Sequence, residues 1–128
     1  MDEIKIARKA LKWELSQVST RCACGDEGAT DLGHIAYTRH PDSVELYHPF
    51  NMALLHNVCN INEHLWINVN ACLMLLERAG GPEQWEEWAR TIPRRSMHWI
   101  PEKMRIAIDL WEQGVRPFEI ERIREAVE

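Results

Sequence analysis

The sequence has no long apolar run, no export-type start and no repeats. None of its 128 residues lies in a stretch approaching the roughly 18 uninterrupted apolar residues that a membrane-spanning helix needs. We therefore expect no membrane partner. The first residues, Met1 to Lys5, lack the basic-then-apolar layout of a signal peptide, which predicts a cytoplasmic protein. Internal repeats and low-complexity segments are also absent, which excludes a repeat architecture.

The chain also lacks an excess of positive charge. Its formal net charge is −5, whereas nucleic-acid-binding proteins usually carry a surplus of Lys and Arg. This total argues against such a partner unless local basic clusters override it. Hydrophobic residues make up 45% of the chain and six Trp provide large packing anchors, so a disordered chain is excluded. The length predicts one domain spanning residues 1–128.

The four cysteines could form two disulfides in a secreted protein, but the lack of an export signal and the single residue between Cys22 and Cys24 favour metal binding. A C-x-C pair (Cys22 and Cys24) and an H-x-x-C pair (His56 and Cys59) offer four soft ligands. Two such short-spaced pairs are the pattern of a closed tetrahedral zinc site. The alternative is that the cysteines are free thiols and His56 is an ordinary loop histidine. Cys72 stands apart in an apolar helical run, where we expect a buried free thiol.

Hydrophobic periodicity predicts an α+β fold that is mostly helical. An amphipathic helix is predicted over residues 2–18, short strands over 30–37 and 51–55, and helices over 57–79, 82–92, 101–113 and 117–127. A polar connection over 38–50 separates the strands, and long loops in small domains are often functional. The expected architecture is an N-terminal helix (1–18), a ββα centre stapled by zinc (19–79) and C-terminal helices (80–128) that complete a helical shell.

Polar residues stand at the ends of these predicted elements in a regular order. His34 lies in the first predicted strand and Asn51 opens the second. Asn60 directly follows Cys59 of the H-x-x-C pair, and His64 comes four residues later. On one continuous helix, Asn60 and His64 would share a face.

This order, with the H-x-x-C pair embedded between Asn51 and Asn60, resembles the HNH endonucleases of the ββα-metal class. It is most similar to the small phage-type members in which a zinc knuckle staples the motif, and it covers about a third of the chain. The resemblance implies that His34 is the general base and that Asn51 fixes the loop carrying it. It also implies that Asn60 and His64 bind a catalytic metal ion.

One position departs from the family pattern. The family usually places Asp or His directly before the catalytic histidine, as a metal ligand, whereas this chain has Gly33 there. We expect Asp31, two positions earlier, to supply the carboxylate instead.

These residue types suit phosphodiester hydrolysis. A neutral histidine near pH 7 can remove a proton from water, and a divalent ion stabilises charge that develops on the phosphate. Amide and imidazole ligands with one carboxylate suit Mn²⁺, Ni²⁺ or Co²⁺ better than Mg²⁺. The sequence therefore predicts a metal-dependent endonuclease or nickase acting on double-stranded DNA, with structural Zn²⁺ and a catalytic Mn²⁺ or Mg²⁺.

Two basic groups are the candidate DNA contacts. Lys9 and Lys12 lie on the outer face of the first helix, and Arg94 and Arg95 follow the Trp-rich helix. Ordinary solvated surface is the alternative for each of them.

The competing function is a non-catalytic zinc module that binds DNA or a protein, with a decayed HNH site. Gly33 and the net charge favour that alternative, whereas the presence of both histidines and both asparagines favours an enzyme.

Overall fold

The structure, a computed structural model, describes residues 2–38, 41–62, 64–92 and 100–128. Within these ranges it has six α-helices and one two-stranded sheet, so the α+β, mostly helical class is confirmed. The elements are α1 (Glu3–Val18), β1 (Asp31–His34), β2 (Met52–Leu55), α2 (Asn57–Ile61), α3 (Leu65–Ala79), α4 (Pro82–Ala89), α5 (Glu102–Glu112) and α6 (Ile120–Val127). None of the helices in the described ranges has the length and apolar character needed to cross a membrane.

Helix α1 forms where the periodicity predicts it. The carboxylate of Asp2 accepts the backbone N–H groups of Ile4 (2.9 Å) and Lys5 (3.4 Å), which satisfies two donors that the first turn leaves unpaired. Leu11 and Leu15 are buried, so the predicted apolar face does pack against the rest of the domain. The opposite side of α1 is exposed.

The sheet is an antiparallel pair, with Asp31 opposite Leu55 and His34 opposite Met52. Both strands are short, and β1 ends at His34, three residues before the predicted end. One further hydrogen bond joins the two segments, from the backbone N–H of Ile35 to the carbonyl of Asn51 (2.8 Å), and beyond it the chain turns into the polar connection. Two four-residue strands form only a marginal unit alone, so the sheet depends on what packs and clamps it.

Asn51 ties the two ends of the connection together. Its side chain is fully buried immediately before β2. The amide oxygen accepts the N–H of Tyr37 (2.7 Å), and the amide nitrogen donates to the carbonyls of Tyr37 and Leu46 (both 2.9 Å). A buried amide thus satisfies backbone groups that the short sheet leaves unpaired.

The single helix predicted over 57–79 is wrong, because the chain breaks it into α2 and α3. Asn62 caps the end of α2 with extended backbone (φ −94°, ψ 101°), and His64 caps the start of α3 (φ −90°, ψ 129°). The two segments have different partners: α2 lies over β1, whereas α3 packs among α4, α5 and α6. One straight helix could not pack against β1 and also among α4, α5 and α6. The premise that Asn60 and His64 share one helical face is therefore also wrong.

The core has two apolar clusters that meet at Ile35 and Trp66. One cluster gathers α3 with the C-terminal helices, and the other gathers α1, the sheet and the loop that carries Cys22 and Cys24.

Gly80, in the left-handed region at φ 96°, ends α3 as predicted. The last helix starts at Ile120, later than the predicted residue 117, because the preceding Phe118 adopts φ 70°.

A second buried amide joins the C-x-C loop to the C-terminal part of the chain. Asn70, on α3, donates to the carbonyl of Ala23 (2.7 Å) and accepts the N–H of Phe118 (2.8 Å). The loop that carries Cys22 and Cys24 is therefore anchored to the centre of the helical core.

Candidate metal centre

The C-x-C pair lies in a tight loop between α1 and β1. The carbonyl of Cys22 accepts the N–H of Gly25 (2.9 Å), and the N–H of Cys22 donates to the carbonyl of Asp26 (2.9 Å). Gly25 has φ 105°, a conformation that favours glycine, so the residue after the second cysteine lets the loop close. The turn directs both thiols toward the junction of β2 and α2.

The H-x-x-C pair lies at that junction. His56 is the cap residue of α2, and Cys59 stands in its first turn. The backbone N–H of His56 points at the sulfur of Cys22 (3.3 Å), as does the N–H of Cys24 (3.4 Å). Two backbone donors are thus directed at one sulfur of the C-x-C pair.

The two pairs meet in what we call the metal cluster: Cys22, Cys24, His56 and Cys59. The four ligand atoms all lie within 4.8 Å of one another. His56 Nδ1 is 3.4 Å from Cys24 Sγ and 3.9 Å from Cys59 Sγ. Tetrahedral zinc with bonds of about 2.3 Å to sulfur and about 2.0 Å to nitrogen requires S···N separations of roughly 3.6 Å. The observed distances bracket that value, so the cluster could hold a structural metal ion such as zinc.

The ring of His56 is oriented for this role by the preceding loop. Its Nε2 lies 2.7 Å from the carbonyl oxygen of Glu27, which accepts the Nε2–H. That hydrogen bond is the main reason why the pKa of His56 is raised. It also fixes the tautomer that leaves the Nδ1 lone pair facing the sulfurs, a common arrangement for metal-binding histidines.

The crowding of thiols favours a bound cation. Burial, followed by the hydrogen bonds and charges of Cys22 and Cys24, raises the pKa of Cys59 to about 12. A positive ion beside the Cys59 sulfur would stabilise its thiolate, which is the form that binds metal. Cys72 lies apart from them, buried and free as expected, and burial raises its pKa to about 12 as well.

His34 lies at the end of β1, beside residues that the sequence did not single out. Its Nε2 is 3.4 Å from Asp42 Oδ1, and its ring meets the ring of Tyr47 edge-on at 5.3 Å between centroids. The side chain lines a groove of about 360 Å³ that also contacts the start of α5, including Lys103. The only sequence signal for Asp42 and Tyr47 was the length of the polar connection that holds them.

Gly33 and Asn60 are in contact across the β1–α2 packing. A Cβ atom built on Gly33 would lie 2.7 Å from Asn60 Oδ1, so the glycine leaves the space that the amide occupies. One turn earlier on α2, the amide of Asn57 donates to Asp31 Oδ2 (2.8 Å). Asp31 and Gly33 share one face of the strand. Helix α2 therefore contacts this face of β1 at two places, with Asn57 against Asp31 and Asn60 against Gly33.

His64 lies beyond the break between α2 and α3. It borders a separate groove of about 410 Å³, together with Cys59, Trp66, Arg124 and Glu128. Within residues 2–38, 41–62, 64–92 and 100–128, the metal cluster is the only close group of three or more His, Cys, Asp or Glu ligand atoms. The assignments of Asp31, Asn60 and His64 to a catalytic metal stay predictions.

The predicted DNA contacts fall on α1 and outside the described ranges. Lys9 and Lys12 are exposed on α1, on the side away from its buried leucines. Arg94 and Arg95 lie outside the residues that the structure describes.

Comparison of the chain with protein-family models, curated protein sequences and solved structures finds no match. The resemblance to HNH endonucleases thus rests on the residues themselves.

Cys59→Ser should remove the metal. We expect one zinc per chain in the unaltered protein and little in the variant, with a melting temperature lower by about 10 °C or more, because structural zinc contributes folding free energy directly. The matched control is Cys72→Ala, which removes a buried thiol outside the metal cluster and should keep one zinc. Elemental analysis and thermal unfolding measure both effects. A folded wild-type protein without metal, or equal zinc contents in the two variants, would contradict the assignment.

Proposed function

We propose that this chain is a zinc-stapled, metal-dependent endonuclease or nickase that hydrolyses phosphodiester bonds in double-stranded DNA. The observation that supports this most is the arrangement of β1, β2 and α2. His34 ends β1, the buried Asn51 immediately precedes β2, and α2 lies over β1 with Asn60 against Gly33. This order of residues and elements is the one that the resemblance to the ββα-metal nucleases implies, and it supports the proposal.

Zinc in the metal cluster would hold this arrangement in register. Cys22 and Cys24 precede β1, whereas His56 and Cys59 lie where β2 passes into α2. A tetrahedral ion bound by all four joins both ends of the hairpin to the helix. The contact of Asn60 with β1 would then depend on the same metal–ligand bonds that hold the loop carrying Cys22 and Cys24.

His34 is the proposed general base. Its imidazole accepts a proton from a water molecule, the resulting hydroxide attacks phosphorus, and the bond between phosphorus and the leaving sugar oxygen breaks. The leaving oxygen takes a proton from solvent, so that protons and charges balance. The groove beside His34 is open to solvent, so water can reach the imidazole, and it is lined by both Lys103 and Glu102.

Asp31 and Asn60 are the residues that would hold a catalytic divalent ion. Asp31 lies on the same face of β1 as Gly33, and Asn60 contacts Gly33, so both residues offer oxygen atoms near that face. The side chain of His34, at the end of the strand, points to the opposite face. Mg²⁺ and Mn²⁺ commonly retain water ligands and bind through one or two protein groups together with substrate phosphate. When bound, such an ion supplies charge neutralisation at the phosphate. The fit of His64 is poorer, because the helix break separates it from Asn60.

One flank of α1 supports a DNA contact close to His34. Lys5, Arg8 and Lys12 recur at three- and four-residue steps, so their side chains share a flank of the helix. Arg8 Nη2 donates to the hydroxyl of Tyr47 (3.0 Å), and Tyr47 in turn touches His34. The basic flank therefore borders the proposed site, where it could bind the phosphate backbone. Lys9 lies further round the helix, near the exposed Trp13.

A second function, a non-catalytic zinc module that binds DNA or protein, is favoured by one observation. Gly33 offers no ligand at the position that faces Asn60. The retained His34, with its own set of contacts, favours catalysis instead. Two experiments separate the two functions.

The first is a plasmid-nicking assay with Mn²⁺, Mg²⁺ or EDTA. We expect cleavage with Mn²⁺ at least as fast as with Mg²⁺, and none in EDTA under conditions that leave zinc bound. His34→Ala should lower the rate by about 10²- to 10⁴-fold, since the proton acceptor is lost, and excess Mn²⁺ should not restore it. Asn60→Ala is the comparison, because loss of a ligand should be partly restored by Mn²⁺. If His34→Ala cuts at the wild-type rate while remaining folded and zinc-bound, His34 is not the base.

The second restores the missing carboxylate. Gly33→Asp should lower the Mn²⁺ concentration that gives half-maximal nicking, because a charged oxygen ligand would join Asn60 once that flexible amide moves aside. Gly33→Asn is the matched control, with the same size but no charge, and should not strengthen metal binding to the same degree. Equal effects of Asp and Asn on the Mn²⁺ requirement would show that position 33 does not face the metal.

A further inference from the structure

Four side chains from three parts of the chain form a connected series beside His34. Asp42 Oδ1 lies 3.4 Å from His34 Nε2 and also accepts the N–H of Ser43 (2.9 Å). Asp42 Oδ2 accepts a very short hydrogen bond from the hydroxyl of Tyr47. The same hydroxyl accepts the Nη2–H of Arg8, 3.0 Å away. The series thus runs from α1, through the polar connection, to the end of β1.

The protonation states in this series follow from its contacts. Burial acts to raise the pKa of Asp42, but hydrogen bonds from Tyr47 and Ser43 and the neighbouring His34 outweigh it, so that the pKa is lowered. Burial and the Asp42 carboxylate raise the pKa of Tyr47, and the hydrogen bond to Tyr47 raises that of Arg8. At neutral pH, Asp42 is therefore a carboxylate, Tyr47 a neutral phenol and Arg8 a cation.

His34 Nε2 is an orphaned atom unless it faces Asp42. It is buried, and in the described part of the chain it has no well-aligned hydrogen bond. The Asp42 carboxylate is the nearby acceptor, and a small rotation of either side chain would convert their 3.4 Å approach into a hydrogen bond. A buried polar nitrogen without a partner is unfavourable, which gives this pairing a physical cause.

We propose that Asp42 is a positioning residue for His34, holding the imidazole with Nε2–H toward the carboxylate and leaving Nδ1 as the nitrogen that accepts the proton from water. This role rests on the proposed nuclease function. Asp42 also stabilises the imidazolium that forms when the proton is taken, a role that an aspartate beside a catalytic histidine can fill.

Tyr47 and Arg8 hold Asp42 in place from behind. The phenol donates to the carboxylate, packs its ring against His34, and accepts from Arg8, whose guanidinium also lies 5.6 Å from the centre of the Tyr47 ring. Arg8 belongs to the basic flank of α1. The same hydrogen-bonded series would therefore connect the flank that binds the phosphate backbone to the residue that orients His34.

A purely structural role for Asp42, fastening the connection to α1, makes a different prediction. It would affect stability without altering the tautomer of His34. The test therefore compares wild type, Asp42→Asn, Asp42→Glu and Tyr47→Phe, with Asp109→Asn as the matched control because Asp109 is an exposed aspartate on α5. Each variant is checked for folding and zinc content. The measurements are the kcat and KM for plasmid nicking and the ¹⁵N NMR signals of the histidine rings.

We expect Asp42→Asn to lower kcat by on the order of 10²-fold or more with little change in KM, because an amide no longer selects the productive tautomer. Asp42→Glu should recover part of the rate, and Tyr47→Phe should lose less than Asp42→Asn. In wild type, the His34 signals should show the proton on Nε2, and this preference should weaken in Asp42→Asn but not in Asp109→Asn.

An unchanged His34 tautomer in folded Asp42→Asn, or an unchanged kcat, would overturn the positioning role. If Asp42→Asn does not fold, Tyr47→Phe decides the matter, and wild-type values for both kcat and tautomer would overturn the role. Wild-type protein that fails to cut DNA would overturn the proposed function itself. The NMR comparison would still test Asp42, because it does not depend on cleavage.

Discussion

The convergence of three thiols and one imidazole from two distant segments is the constraint on which the proposed site depends. The sheet between these segments has only two strands of four residues, which is too little to hold itself together in water. An ion bound by the metal cluster would clamp the start of β1 and the end of β2 to α2, and Asn70 fastens the cysteine loop to α3. The pKa of Cys59 is raised to about 12, mainly by burial, so a bound cation would stabilise the thiolate form of this residue. Metal binding and local folding are therefore linked.

The proposed active site lies on the part of the fold that this clamp positions. Helix α2 brings Asn60 onto Gly33, while the buried amide of Asn51 holds the two ends of the connection that contains Asp42 and Tyr47. His34 stands where these two supports meet. Its environment is thus set partly by the packing of α2 on β1 and partly by the hydrogen bonds between Asn51 and the backbone of Tyr37 and Leu46, two residues of the helical core.

Local spacing predicted the parts of the structure that depend on local chemistry. Three such features can be recognised from a few neighbouring residues: the C-x-C and H-x-x-C pairs, the amphipathic pattern of α1 and the boundary at Gly80–Pro82. The break between α2 and α3 could not be predicted in this way, because the apolar stripe continues past Asn62 and only the separate packing partners force the turn. The late start of α6 likewise depends on the conformation of Phe118.

The neighbours of His34 could not be predicted from local sequence spacing either. Asp42 lies eight residues along the chain and Tyr47 thirteen, and Arg8 comes from another element altogether. No motif spacing links an arginine of α1 to a tyrosine of the connection. Their meeting follows from the fold, which is why the ligand pairs could be recognised from sequence and the series around His34 could not.

X-ray absorption at the zinc edge of purified protein tests the central claim most directly, because it reports the ligand atoms themselves. The expected spectrum has three sulfur atoms at about 2.3 Å and one nitrogen at about 2.0 Å from the zinc. Replacing His56 by Ala should remove the nitrogen contribution and leave the sulfur distances nearly unchanged wherever zinc is still bound. A zinc coordinated mainly by oxygen and nitrogen, or by fewer than three sulfurs in the unaltered protein, would contradict the account.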